Sequence, residues 1–156
     1  MSKSVFVLCM VLVLIHGHAS SIACTREEAF TAEATIPDVS SWKELYESYK
    51  FYNQCDDGAI AAAYSDVVVR LLAFKWEDLE TLIQMTDNDK NFFTFVLHHI
   101  DATVDQKDLE RIIENCTQAC PDNKSAFCST IRKQSVQALS EMQKHTFSEN
   151  NPKITQ

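Results

Sequence analysis

The sequence predicts an all-α protein, a single compact bundle of five or six helices. Only two glycines and three prolines occur in 156 residues, and an all-β sandwich needs turn residues every dozen positions or so. Apolar residues recur instead at three- and four-residue spacing, the period of an amphipathic helix. With 46% apolar and 23% charged residues the composition is that of a folded chain, and the length allows one domain.

Residues 1–19 have the pattern of a secretory signal peptide. Lys3 precedes an apolar run from Val5 to Ile15, and Gly17-His18-Ala19 forms a small-x-small cleavage site. The run is too short to span a bilayer comfortably, so we expect export with no membrane span.

A second cleavage position lies after Ala23. Cleavage there would place Cys24 first, where a bacterial lipoprotein carries its lipid, although Ser21 occupies a position at which that signal prefers an aliphatic residue. Simple export is the favoured interpretation, with a lipid at Cys24 as the alternative.

The first helix that the pattern predicts begins at Ser41, after a stretch from Thr25 to Asp38 that has no clear period. Ser41 and Glu44 have the spacing of a capping box. The apolar face that follows consists of Trp42, Leu45, Tyr46, Tyr49 and Tyr52.

The next two helices follow a break at Cys55-Asp56-Asp57-Gly58, whose acidic residues suit the positive end of a helix dipole. The strongest stripe in the chain comes directly after it: Ile60, Tyr64, Val67, Val68, Leu71 and Leu72. A shorter helix is expected around Leu79, Leu82 and Ile83.

Asp87-Asn88-Asp89 forms another break rich in N-cap residues, and a helix that is apolar around almost its whole circumference follows at residues 92–100. Such a helix is either fully buried or covered by a partner. Thr103 to Gln106 has capping-box spacing and precedes a further helix, whose apolar face is Leu109, Ile112, Ile113 and Cys116.

Pro121 suits the first turn of a last helix, where its missing N–H costs nothing. Its core-facing residues would be Phe127, Ile131, Ala138, Leu139 and Met142. We therefore predict a helical domain at 24–144 and a disordered tail at 145–156.

The charge balance bears on the class of partner. The chain has 14 Lys and Arg against 22 Asp and Glu, a net charge of −8. Nucleic acids and anionic membranes bind Lys/Arg clusters, so neither is expected as the main partner.

One group of titratable residues could form an acid–base or metal site: Asp56, Asp57, His98, His99 and Asp101. Adjacent histidines point about a hundred degrees apart on a helix, so His98 and His99 do not easily serve one site. Asp56 and Asp57 have a simpler role as helix-start residues. We therefore expect no catalytic site, no metal and no cofactor.

The cysteines and two sequons add little chemistry by themselves. Cys116, Cys120 and Cys128 lack a nearby histidine that would complete a zinc site. Export makes disulfides the expected state of these residues. Asn115-Cys116-Thr117 and Asn123-Lys124-Ser125 match the N-glycosylation pattern, which matters only in a eukaryotic secretory pathway.

Three segments resemble the type VI secretion amidase immunity proteins, the Tai/Rap group. The first signature runs from Cys55-Asp56-Asp57-Gly58 through Tyr64-Ser65-Asp66 to Leu72, and the second is the run from Phe95 to Thr103. Cys120-Pro121 followed by Cys128 is similar to the C-terminal element of that family. Together they cover about Leu45 to Leu139 in the family's order.

The resemblance implies an exported, periplasmic helical protein, commonly a homodimer, with no catalytic residues. Members bind a peptidoglycan amidase effector, a papain-like Cys/His enzyme delivered between bacteria, and block its cleft. The acidic break Asp87-Asn88-Asp89 is the segment that we expect to reach the effector, beside its role in helix capping. The effector's identity and the dimer geometry stay open.

Beside this resemblance we expect a Cys120–Cys128 disulfide. Cys55 with Cys116 is the second expected pair, which would leave Cys24 free or lipidated. Cys24 and Cys116 both look like additions to the family pattern, so Cys24 with Cys116 is the competing pair.

Two other classes stay open as alternatives. A secreted helical carrier of small hydrophobic ligands, similar to an insect odorant-binding protein, has this size, acidity and aromatic content. Its usual C-x3-C pair lies between the second and third cysteines, whereas here Cys116 and Cys120 come later. A small secreted hydrolase is the third possibility.

Overall fold

A computed structural model describes the backbone of residues 23–150 and the side chains of residues 23–144. This part of the chain contains seven α-helices and no strand, which confirms the all-α prediction with one helix more than the upper estimate. The predicted signal peptide lies outside the described residues. The helices are α1 Arg26–Thr35, α2 Trp42–Tyr52, α3 Gly58–Phe74, α4 Leu79–Asn88, α5 Lys90–His98, α6 Gln106–Gln118 and α7 Ser125–Asn150. None of the described helices is long and apolar enough to cross a membrane.

The additional helix is α1, in the stretch for which the sequence predicts no period. It begins with a capping box, in which Thr25 Oγ1 accepts from the Glu28 N–H at 3.2 Å and Glu28 Oε2 accepts from the Thr25 N–H at 2.8 Å. Only Ala32 is fully buried along it. End capping therefore defines this helix better than an apolar stripe does.

Helix α3 lies at the centre of the bundle and packs against α1, α2 and α6. All six residues of its predicted stripe are buried, which confirms that prediction: Ile60, Tyr64, Val67, Val68, Leu71 and Leu72. Burying one such aliphatic side chain stabilises the fold by about 1.5–3 kcal/mol. The stripe therefore contributes substantially to hydrophobic stabilisation.

An aromatic cluster joins α2, α3 and α5. The ring of Phe92 lies 4.8 Å from that of Tyr46 and 5.1 Å from that of Tyr49, measured between centroids. Phe95 lies 4.9 Å from Tyr64 in an edge-to-face arrangement, a geometry that adds about 0.5–1.5 kcal/mol beyond burial. Helix α5 thus contributes its aromatic residues to the interior of the same chain.

Two disulfides hold the ends of the fold. Cys120 bonds to Cys128 across the α6–α7 connection, as expected. The expected second pair is wrong, because Cys55 bonds to Cys24 and Cys116 stays a buried free thiol. The fold explains this pairing. The 3₁₀ turn that ends at Cys55 packs against α1, close to Cys24, whereas Cys116 belongs to the buried face of α6. A Cys24 sulfur in a disulfide cannot also carry a lipid thioether, so this pairing excludes the lipid alternative.

Three predicted helix ends differ in detail. The Glu44 carboxylate accepts from Ser40 rather than from the N–H of Ser41, so only half of the predicted capping box forms. Helix α6 is capped by Asp105, not by Thr103. Pro121 lies in the α6–α7 connection, before α7 begins.

Helix α7 runs to Asn150, beyond the boundary at 144 that separates domain from tail in the sequence analysis.

Candidate functional site

A chain of hydrogen bonds connects three of the five acid–base candidates. His99 Nε2 lies 3.1 Å from Asp56 Oδ2, and His99 Nδ1 lies 3.0 Å from the hydroxyl of Ser65. The same hydroxyl donates to Asp101 Oδ2 at 2.7 Å. We call Asp56, His99, Ser65 and Asp101 the polar network.

Each member is positioned by a different element. Asp56 follows Cys55, which the disulfide to Cys24 holds in place. Ser65 lies on the buried face of α3, next to Tyr64. His99 is the C-cap of α5, and Asp101 lies in the turn that follows. The network therefore ties the start of α3 to the end of α5.

The other two candidates lie outside the network. Asp57 is the N-cap of α3, and its carboxylate accepts from the Gly58 N–H at 2.8 Å. Gly58 has φ +54, a left-handed conformation that favours glycine. His98 is exposed on α5. His99 is buried, so the two adjacent histidines lie in different environments.

The polar network contains a Ser, a His and an Asp in contact, but it lacks the features of a hydrolase triad. Ser65 is 2% exposed and His99 is 1% exposed, so a substrate carbonyl cannot reach the hydroxyl. The proton of Ser65 is directed to Asp101 and not to the imidazole. A nucleophile requires the opposite arrangement, in which the imidazole accepts that proton. The geometry suits a structural connection.

Hydrogen bonding keeps Asp101 ionised. Burial favours its neutral form, but bonds from the Thr103 hydroxyl, Ser65 and the Thr103 N–H outweigh that effect and lower the pKa of Asp101 below its usual value. Nearby, desolvation raises the pKa of Tyr64 to about 12, and its hydroxyl pairs with Ser48 at 3.0 Å. Tyr64 is therefore neutral at physiological pH.

Among the described residues, one group of metal-ligating side chains lies close together: Cys24, Glu28 and Cys55. Both sulfurs belong to one disulfide, so neither is available as a thiolate ligand. The Glu28 carboxylate is also used in the α1 capping box. This group is explained by the fold and not by a metal.

The predicted partner-binding segment, Asp87-Asn88-Asp89, is the junction between α4 and α5. Asp89 caps α5 by accepting from the N–H groups of Asn91 and Phe92 at 3.0 and 3.1 Å. Asp87 pairs with Lys90 at 3.0 Å, and the pair is well exposed. The segment is thus a tight turn between helices and not a protruding loop.

A surface groove lies directly beside this junction, between α2 and α4. Its volume is about 350 Å³, and it includes Asn88. Tyr46 lines it and donates a hydrogen bond to Asp89 Oδ2 at 3.2 Å, which links the groove to the cap of α5. Met85 lies on the opposite wall. We call this the α2–α4 groove, and sequence analysis did not find it because Tyr46 and Met85 lie 39 positions apart (85 − 46).

The α2–α4 groove has the residue types of a protein contact. Tyrosine and methionine are enriched at the centres of interfaces. The remaining lining is polar, with Lys43, Glu47, Thr81 and Gln84 at its edges. Such a pattern, an apolar floor inside a polar rim, is typical of a site that binds another protein.

Comparison with models of known protein families, with curated proteins and with solved structures finds no match to this chain.

Proposed function

We propose that this protein is an exported, periplasmic immunity protein. It binds a peptidoglycan amidase effector of a type VI secretion system and blocks the effector's cleft. In this proposal the protein protects the cell that makes it, acts as a homodimer and catalyses no reaction.

Support comes from the positions of the residues that carry the family resemblance. Asp56 and Ser65 belong to the first signature, and His99 and Asp101 belong to the second. The polar network brings all four together. The two signatures therefore describe one structural unit, which is expected if they define a common fold and not two chance matches.

Further support comes from the chemistry of the buried groups. The one Ser–His contact in the polar network is inaccessible to a substrate. The aromatic cluster fills the interior between α2, α3 and α5, where a carrier would hold its ligand. A folded domain with these properties acts through its surface.

The α2–α4 groove and the adjacent junction are the contact that we propose for the amidase. Tyr46 and Met85 would supply the apolar centre, and Asp87 would lie at the rim. Anchors at the centre of an interface carry most of its energy, whereas rim charges mainly accelerate association.

The direct test needs a papain-like peptidoglycan amidase encoded by a reading frame adjacent to this gene. Its inhibition is assayed by release of stem peptide from purified peptidoglycan. We expect stoichiometric inhibition by the wild-type protein. Thr81→Trp places a large side chain in the groove and is expected to weaken inhibition at least tenfold. Thr130→Trp, on an exposed part of α7 outside the groove, is the matched control and is expected to change nothing.

The outcomes separate the function from its site. No inhibition by the wild-type protein would contradict the immunity function for this pair. Full inhibition by both Trp variants would keep the function and exclude the groove. A double variant, Asp87→Ala with Asn88→Ala, tests the junction while it retains the Asp89 cap.

A further inference from the structure

Three cysteines line one cleft between α6 and α7. The cleft has a volume of about 480 Å³, and its walls include the free thiol of Cys116 and both residues of the Cys120–Cys128 disulfide. The other residues that line it are Thr117, Ser125, Ser129 and Arg132. We call Cys116, Cys120 and Cys128 the cysteine cluster. A free thiol therefore shares a cleft with a disulfide.

Within the cysteine cluster, Cys116 faces α7. Its thiol lies beside the main chain and the guanidinium of Arg132, which follows Cys128 by four positions on that helix. Cys116 and Cys128 are 7% and 2% exposed. Cys120 is only half-buried, in the connection between the two helices. The Cys128 sulfur is therefore the end of the disulfide that lies on the same buried side as the Cys116 thiol.

We propose that the cysteine cluster is a thiol–disulfide exchange site with two disulfide isomers. The Cys116 sulfur, as a thiolate, attacks the Cys128 sulfur, and the Cys120–Cys128 bond breaks as the Cys116–Cys128 bond forms. The electron pair of the broken bond leaves on the Cys120 sulfur. Cys120 then takes up one proton in place of the one that Cys116 has lost, so the step consumes no oxidant or reductant. In the second isomer the free thiol is Cys120.

The two isomers place similar constraints on the chain. The bonded cysteines are 8 positions apart in the first isomer and 12 in the second (128 − 116), so the entropy of loop closure hardly distinguishes them. A thiol with a lower pKa is the better leaving group, and burial raises the pKa of a thiol. The more exposed Cys120 is therefore the sulfur that we expect to be released.

The exchange is slow in the folded protein. Only the thiolate attacks a disulfide, and burial raises the pKa of Cys116 to about 11. The positive charge of Arg132 acts in the opposite direction, but its effect is smaller than that of burial. Uncatalysed disulfide rearrangement takes minutes to hours, and this sets the time over which the exchange is followed.

The test uses the exported protein with both disulfides formed, kept folded at about pH 8.5 in excess iodoacetamide. Samples taken over a day are quenched in acid and freed of the reagent. They are then unfolded, reduced and treated with N-ethylmaleimide, which marks the cysteines that were bonded. Tandem mass spectrometry of the tryptic peptide Ile112–Lys124 distinguishes Cys116 from Cys120. We expect iodoacetamide on Cys120 and N-ethylmaleimide on Cys116 in the molecules that have exchanged.

Cys116→Ala is the matched control, because it removes the attacking sulfur and leaves the Cys120–Cys128 disulfide in place. We expect iodoacetamide to label Cys120 at least tenfold more slowly in this variant than in the wild type. The Cys24–Cys55 disulfide is an internal control in the same sample. Its two cysteines should take up no iodoacetamide, since the free thiol lies at the other disulfide.

Three results would overturn the proposal. The first is iodoacetamide on Cys116 or Cys128 in place of Cys120, and the second is no labelling of the cluster after a day. The third is equal labelling of Cys120 in the wild type and in Cys116→Ala, because the disulfide would then open without the thiol. If Cys116→Ala does not fold, Cys116→Ser takes its place, since a hydroxyl does not attack a disulfide. The position of the label in the wild type is decisive even without a variant.

Discussion

Replacing Phe92 by alanine is expected to be among the most destabilising single changes in this protein. The side chain is fully buried, and its ring contacts those of Tyr46 and Tyr49 at 4.8 and 5.1 Å. Truncation of a buried phenylalanine costs about 3–5 kcal/mol, because transfer free energy is lost and a cavity is left. That is a large part of the 5–15 kcal/mol typical of a small domain.

The assay is urea unfolding followed by far-UV circular dichroism, with both disulfides intact. Phe30→Ala is the matched control, since it is the same substitution in a side chain that is 76% exposed. We expect it to change the free energy of unfolding by less than about 0.5 kcal/mol. A cost below about 1 kcal/mol for Phe92→Ala, or equal costs for both variants, would refute the assignment of α5 to the core.

Three further outcomes are expected. The pKa of Asp101 is lowered in the folded protein, so the stability that this carboxylate contributes is complete above the usual aspartate pKa of about 3.9 and is lost as pH falls below it. The urea midpoint should therefore fall less between pH 6 and 3 in Asp101→Asn than in the wild type. An equal fall of the midpoint in both proteins would contradict this. Cys116 should resist a thiol reagent in the native protein and react after unfolding, because it is buried and desolvation raises its pKa to about 11; rapid native labelling, read by mass spectrometry, would exclude this. In a eukaryotic secretory host, Asn123 should be glycosylated and Asn115 should not. Asn123 is exposed in a turn, whereas the Asn115 amide donates to the carbonyls of Leu72 and Ala73. A glycan-dependent shift in gel mobility that survives Asn123→Gln would contradict this.

The sequence predicts the central helices well because their signal is local. The α3 stripe repeats at helical spacing, and every one of its six residues is buried. The α5 segment is a helix as predicted and buries Phe92, Phe95 and Val96. It is not apolar on all sides, because Asn91, Thr94 and His98 form an exposed polar side.

Helix α1 could not be predicted from periodicity, because it buries only Ala32 completely. The Thr25–Glu28 capping box and the Cys24–Cys55 disulfide fix its first turn, and the helix packs against α2 and α3. The Thr-x-x-Glu spacing was the available signal. The disulfide depends on a tertiary contact, and no spacing rule specifies that.

The N-cap of α5, at the α4–α5 junction, could not be assigned from the sequence either. Asp87, Asn88 and Asp89 are all competent N-cap residues, and their order does not distinguish among them. The structure assigns the cap to Asp89 because its backbone is extended there, with φ −135 and ψ 97. A variant that preserves a cap at Asn88 alone would therefore disturb α5 as well as the junction.

The members of the polar network were also predictable only in part. Asp56, His99 and Asp101 were identified as candidates from their residue types, yet Asp56 and His99 are 43 residues apart and only the fold brings them together. Ser65 was not identified as a candidate, because a single serine in an apolar helix carries no pattern of its own. Its role depends on the two groups that it contacts.

The measurement that tests the proposed function most directly is rescue in the periplasm. The product of a neighbouring reading frame that encodes a papain-like amidase is exported into a test bacterium, with and without this chain, and lysis is followed by optical density. We expect lysis in the cells that export the amidase alone and none in the cells that also export this chain. Equal lysis in both cultures, with this chain shown to be folded and exported, would contradict its role as the immunity protein of that amidase.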